Sequence, residues 1–136
     1  MRRSTILALF TCALALAGCA TTVVSNDQTA PGTILDAKAT TPRAGTGIVT
    51  IKRDAGFFGM GCVHRLSLDG RPFAELRTKE AVVLYPEPGA HVLSVEATLL
   101  CWDTSEVAFT IASGQRLTFR SGVAAGGGIR IQATAF

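Results

Sequence analysis

The sequence is poor in what catalysis and membrane crossing usually require. It has two histidines, one tryptophan and one tyrosine, and only 17% of its 136 residues are charged. No apolar run reaches the roughly 20 residues that a transmembrane helix needs. The basic residues are scattered along the chain, so the clustered footprint of a nucleic-acid surface is missing and no nucleic-acid partner is expected. No serine stands in a G-x-S-x-G elbow, since Ser67 and Ser94 are internal strand positions. Neither histidine lies beside a nucleophile in a familiar arrangement, and the carboxylates form no poised acid/base pair. These absences point away from an enzyme, and no cofactor is expected.

What is present begins at the N-terminus. The apolar segment 6–17 is 12 residues long. That suits the h-region of a secretory signal, typically about 7–15 residues. Arg2 and Arg3 precede it as a positive n-region, and Ala15, Ala17 and Gly18 lead to Cys19. A core helix would carry polar residues at helical spacing, whereas this run has only Thr11 and Cys12.

Leu16-Ala17-Gly18-Cys19 resembles a bacterial lipobox. The resemblance implies that 1–18 is a lipoprotein signal peptide and that Cys19 becomes the first mature residue. It further implies a diacylglyceryl thioether on Cys19, usually with an N-acyl chain such as palmitate. Each buried CH₂ contributes about 0.8 kcal/mol to partition, so two or more chains hold a protein firmly at a membrane. Ala20, where Asp would resemble an inner-membrane retention signal, favours the outer membrane, facing the periplasm. The competing reading is ordinary signal cleavage, with Cys19 paired in a disulfide.

Without the signal, 118 residues remain, enough for one domain with a modest core. Removing Arg2 and Arg3 leaves 11 basic residues against 10 acidic ones, a near-neutral balance. Residues 20–45 are rich in Thr, Ala, Ser, Pro and Gly and lack periodicity. We therefore expect 19–45 to be the lipidated cysteine followed by a flexible tether. Its brief apolar pair, Ile34 and Leu35, is expected to stay mobile rather than dock.

From Thr46 onward the period becomes two. GIVTIKR, CVHRLSLD, RPFAELR, AVVLY, HVLSVEA, SEVAFTI, QRLTFR and GIRIQATA are short β-branched-rich runs bounded by turn residues. Asp69-Gly70 suits a type I′ hairpin turn, in which both central residues need positive φ. Pro86-Glu87-Pro88-Gly89 and Ala112-Ser113-Gly114-Gln115 are further turns. Alternation turns Val107, Phe109, Ile111, Leu117, Phe119, Ile129 and Ile131 inward, with Glu106, Thr110, Arg116, Arg120 and Arg130 opposite. A single sheet would leave one apolar face wet. The fold class is therefore all-β, a small antiparallel β-sandwich of seven or eight strands over 46–136.

Two stretches carry a second resemblance. Leu68-Asp69-Gly70-Arg71-Pro72-Phe73-Ala74-Glu75-Leu76 and Tyr85-Pro86-Glu87-Pro88-Gly89-Ala90-His91-Val92-Leu93-Ser94-Val95 are similar to PEGA-type envelope domains and to a set of small β-sandwich lipoproteins. The likeness rests on turn chemistry over about half of the domain. It implies a surface or periplasmic interaction module.

Of the four cysteines, Cys12 would leave with the signal and Cys19 would carry lipid. Cys62 and Cys101 remain in an oxidising compartment, where an even pair normally forms a disulfide. Cys62, His64, His91 and Cys101 also offer four zinc-type ligands. Their spacing matches no standard zinc module, so the bridge is expected and a metal is not.

Possible partner contacts are Phe57, Phe58 and Met60, set among glycines in the loop 54–62, together with Trp102. The phenylalanines either cap the open end of the sandwich or form a contact patch for a partner or lipid surface. Trp102 is expected to pack on the disulfide, with a binding anchor as the alternative. The stretch 121–128 (SGVAAGGG) lacks the Lys-Ser/Thr of a phosphate loop and reads as a hairpin loop.

These features describe an outer-membrane-anchored periplasmic lipoprotein, a non-catalytic binding or accessory module of the cell envelope. Its expected partners are the membrane through Cys19 and an envelope protein, peptidoglycan or another glycan. The alternative is a lysozyme-inhibitor-like lipoprotein. Such inhibitors resemble one another through a Ser-Gly-x-x-Tyr segment, whereas here Ser121-Gly122 is followed by Val123-Ala124-Ala125.

Overall fold

A computed structural model of the chain describes residues 21–56, 59–99, 101–124 and 126–135. Within them lie ten strands in two five-stranded sheets. Short strands β1 (Ala30–Pro31) and β2 (Thr33–Ile34) come first, followed by a single helical turn, α1 (Ala37–Thr40). Then come β3 (Ile48–Arg53), β4 (Val63–Leu68), β5 (Arg71–Leu76), β6 (Glu80–Leu84) and β7 (Gly89–Thr98). Last are β8 (Asp103–Ile111), β9 (Arg116–Val123) and β10 (Ile129–Ala133). One sheet has the order β1-β6-β3-β9-β10 and the other β2-β5-β4-β7-β8.

The eight runs read from alternation become β3 to β10, and the protein is an all-β sandwich. Asp69 and Gly70 have φ of 49° and 78°, the pair of positive values that a two-residue type I′ turn needs. Two pairings are parallel rather than antiparallel, β1 with β6 and β3 with β9. The second arises because β3 leaves its sheet through the loop 54–62, and its neighbour β9 enters from the opposite sheet.

The faces follow the pleat. Val49 and Ile51 meet Leu66, Phe73, Leu76, Leu84, Leu93, Val95, Ile111, Phe119 and Ile131 in one buried cluster. Fully burying such side chains contributes roughly 1.5–3 kcal/mol each, and this cluster is the main favourable term of the fold. Val107, Phe109, Leu117 and Ile129 pack against its margin.

Residues 21–45 differ from the tether expected of them. Thr22 bridges Ala55, Val24 is buried, β1 extends one sheet and β2 extends the other. Composition misses this because the attachment is made by backbone: Ala30 N donates to Lys79 O, and Gly32 N to Ala81 O, both at 2.9 Å. Ile34 and Leu35 stay exposed although the backbone beside them is paired. Gly32, between the two strands, lies where the chain crosses from sheet to sheet. A Cβ there would come 2.9 Å from the Glu75 carbonyl oxygen, so only glycine passes without a shift.

The far edges are joined through side chains. Asp103 on β8 accepts from the Ile129 amide of β10, and Ser105 Oγ accepts from Ile131 N at 3.3 Å. A strap thus closes one side of the sandwich, and these two side chains tie the other.

Candidate functional site

One end of the sandwich collects most of the residues singled out by sequence. The loops 54–62, 99–102 and 124–128 emerge there, and the described chain starts there. Cys62 and Cys101 form a disulfide between the first two loops, with Cα atoms 5.7 Å apart, inside the usual range. Met60 and Trp102 lie in the two loops that this bridge joins.

Trp102 does not pack on the bridge, contrary to expectation. It is 90% exposed, because β8 begins at Asp103 and leaves the side chain beyond the last paired residue. Leu99 is 62% exposed and Met60 59% exposed. Leu99 also has φ of 73°, a left-handed conformation that costs a residue with a Cβ roughly 1–2 kcal/mol. Three large apolar side chains therefore stand in solvent on disulfide-tied loops. Single exposed apolar residues are ordinary on a protein surface; here three stand at one end. Phe57, Phe58 and Cys19 lie outside the described residues.

Beneath this apex is a polar layer that sequence reasoning missed. Arg53 is the last inward residue of β3 and is almost wholly buried. Its guanidinium donates to Cys62 O at 2.6 Å, Leu76 O at 3.0 Å and Gly59 O at 2.5 Å. Burial draws its pKa down to about 10, with Glu80 opposing that shift, so it remains a cation. One side chain thus fixes both ends of the 59–62 turn and the end of β5. The only sequence signal was a charged residue at an inward strand position.

His64, fully buried on β4, has Nδ1 3.0 Å from Ser121 Oγ. A histidine beside a serine was not anticipated, because the two are 57 residues apart. Burial first, then the charge of Arg53, pushes the His64 pKa down to about 3. Ser121 is also fully buried, so no outside molecule reaches the pair as it stands. Its chemistry is that of a neutral polar contact closing the core.

Outside the first sheet, Lys52 is fully covered, facing the Asp27 and Asp54 side of the strand. Asp54 Oδ2 lies 3.7 Å from Arg120 Nε. Burial raises the Asp54 pKa against the opposing effect of Arg120. On the strand pleat Lys52 faces away from the core, opposite to Val49, Ile51 and Arg53. What alternation does not show is the N-terminal segment laid over that face.

The opposite end holds His91. Its Nδ1 is 2.7 Å from Asp69 Oδ2 and its Nε2 2.8 Å from Glu87 O. Both partners accept, so both ring nitrogens donate when the imidazole is protonated. Burial alone would lower its pKa, but the bonds to Asp69 and Glu87 prevail and raise it. The Asp69 carboxyl is held low by His91 and by the Val92 amide, which donates to Asp69 Oδ1 at 2.9 Å. The structure does not assemble Cys62, His64, His91 and Cys101: the cysteines are bonded to each other and the histidines lie towards opposite ends. Among the described residues no cluster of three or more His, Cys, Asp or Glu side chains could hold a metal ion.

A surface groove of about 550 Å³ lies beside β1 and β6, lined by Pro31, Ile34, Thr50 and Val83 among others. It is open and carries no charged side chain. No family model, curated protein or solved structure matches the chain.

Proposed function

We propose that this chain is an outer-membrane-anchored periplasmic lipoprotein whose β-sandwich acts as a non-catalytic binding or accessory module of the cell envelope. The observation that carries the reading is the disulfide-tied apex, where Met60, Leu99 and Trp102 stand exposed above a buried Arg53 clamp. A rigid base under exposed apolar side chains lowers the ordering cost of contact, which is how a small binding surface gains affinity. The burial of His64 and Ser121 supports a non-catalytic role, since this Ser–His pair has no face towards solvent. The Leu16-Ala17-Gly18-Cys19 sequence supports the anchor.

Site-specific photocrosslinkers in the full-length protein, placed at Met60 or Trp102 and at Gly70 on the other end, test the assignment in cells. Adducts are expected from the first two positions and not from the third. Equal labelling from both ends would refute the contact surface. Cys19→Ala is expected to move the protein from the membrane to the soluble fraction, and retention at the membrane would refute the anchor.

A further inference from the structure

We propose that the apex is a membrane-facing surface, and that Trp102, Leu99 and Met60 dock the sandwich end-on against the bilayer that holds the lipid on Cys19. This deepens, and rests on, the lipoprotein reading above.

The occupant is identified by where the chain starts. Thr22 N donates to Ala55 O at 2.8 Å, and Ala55 N to Thr22 O at 3.0 Å. The Thr21 hydroxyl donates to Val123 O at 2.9 Å. Residues 21 and 22 are therefore fastened among the loops that carry Met60, and not at the end that carries His91. Cys19 is two residues earlier, and two residues of extended chain span at most about 7 Å. A lipid on Cys19 leaves the protein close to this end, so the hydrocarbon must lie near it. Had 21–45 been a free tether, the domain could have turned any face to the membrane.

The side chains suit that neighbour. Tryptophan is favoured at the headgroup level, where its apolar ring and its N–H are both accommodated. Trp102 is 90% exposed and has Leu99 and Met60 at the same end, so apolar surface waits where the anchor emerges. The exposed charges on this end are of both signs: Arg77 and Lys79 in the β5–β6 turn and Arg130 on β10, with Asp27, Glu96 and Asp103. Acyl chains alone would hold the protein at the membrane in any orientation. The apex adds contacts that select one.

Trp102 is the only tryptophan of the chain, so its fluorescence reports this surface directly. The full-length protein, its Cys19 adduct verified by mass spectrometry, is reconstituted into vesicles of phosphatidylethanolamine and phosphatidylglycerol. Trp102 emission is expected to shift to the blue relative to soluble Cys19→Ala protein. Acrylamide quenching should fall at least threefold, and lipids brominated on their acyl chains should quench it. A Val92→Trp reporter in a Trp102→Phe background, at the His91 end of β7, should stay accessible to acrylamide. Leu99→Ser with Met60→Ser should restore much of the acrylamide quenching without releasing the protein from the vesicles.

If Cys19 is lipidated and Trp102 remains as accessible as in the soluble form, the docking inference fails while the anchor stands. If Cys19 carries no lipid, the anchor reading fails and the inference falls with it. Shielding of Trp102 in native membranes but not in protein-free vesicles would make the occupant a protein and overturn the lipid assignment.

Discussion

At one end of the sandwich His64 is sealed beside Arg53 and held neutral. At the other end His91 lies between Asp69 and Glu87 and is stabilised as a cation. The contrast teaches that the same side chain can serve closure or cross-linking according to what surrounds it. His64 meets a hydroxyl and a nearby positive charge, so protonation would bury a second cation without a counter-ion. His91 meets two acceptors, so protonation completes its bonding. The ends differ in surface as well: the His64 end exposes apolar side chains over a rigid base, and the His91 end exposes paired charges such as Arg43 and Glu87, 3.1 Å apart.

The two ends should therefore fail differently. Breaking the disulfide at the His64 end is expected to have the largest effect. Cys62→Ser and Cys101→Ser should each cost roughly 4 kcal/mol in the chain-entropy model, and by similar amounts because each removes the same loop closure. Clearly unequal shifts in thermal melts, or two free thiols in oxidised protein, would refute the bridge. Arg53→Met comes next, at about 3 kcal/mol, because it removes the guanidinium bonds to three carbonyls, of which Gly59 O keeps the Cys62 amide as a donor. A denaturation midpoint unchanged from wild type would show that the clamp contributes nothing.

The His91 end should give a smaller effect whose sign depends on pH. The His91 pKa is raised, so its contribution is complete below the ordinary value of 6.5 and fades as pH climbs through the raised value. The Asp69 pKa is lowered, so its share is present above 3.8 and fades on acidification through the lowered value. His91→Gln should cost no more than about 1 kcal/mol at pH 6, given the solvent screening at half-exposed Asp69, and nearly nothing well above neutrality. His64 works in the reverse direction. Its folded pKa of about 3 lies below the ordinary 6.5, so stability falls as pH drops from 6.5 towards 3. Urea titrations of wild type and His91→Gln between pH 5 and 8 would separate the two, and identical profiles would refute the His91 assignment. Smallest of all, Trp102→Ser should change stability by less than about 0.5 kcal/mol, since the side chain touches little of the fold. A larger loss would mean that the tryptophan packs where it is assigned to contact.

Much of this division was legible in the sequence. Alternation placed β3 to β10 and turned Val107, Phe109 and Ile111 inward, because a strand buried on one face shows its period directly. Asp69-Gly70 announced its turn, and Cys62 and Cys101 announced a pair. Other features had no local signal. Ala30–Pro31 has poor strand propensity and joins its sheet as an edge, in a parallel pairing that proline tolerates there. Lys52 and Arg53 sit side by side at the end of β3, yet both are buried, since one faces the core and the other is covered by residues far away in sequence. Trp102 resisted prediction for a similar reason: the bridge next to it suggests packing, but only the strand boundary determines which way the ring leaves.

The strap formed by β1, Gly32 and β2 also bears on the order of events in folding. Its partners lie in both sheets, and Thr21 bonds a residue 102 positions further along. Closing so long a loop is entropically expensive until the distant strands are in place. In a chain exported from its N-terminus, the first residues to leave the translocon would be among the last to find their partners. If Cys19 carries the proposed lipid, that lipid would hold the nascent domain during the interval by a loose leash. On that proposal the seating of the strap would shorten the leash, turning a swinging attachment into a fixed mount.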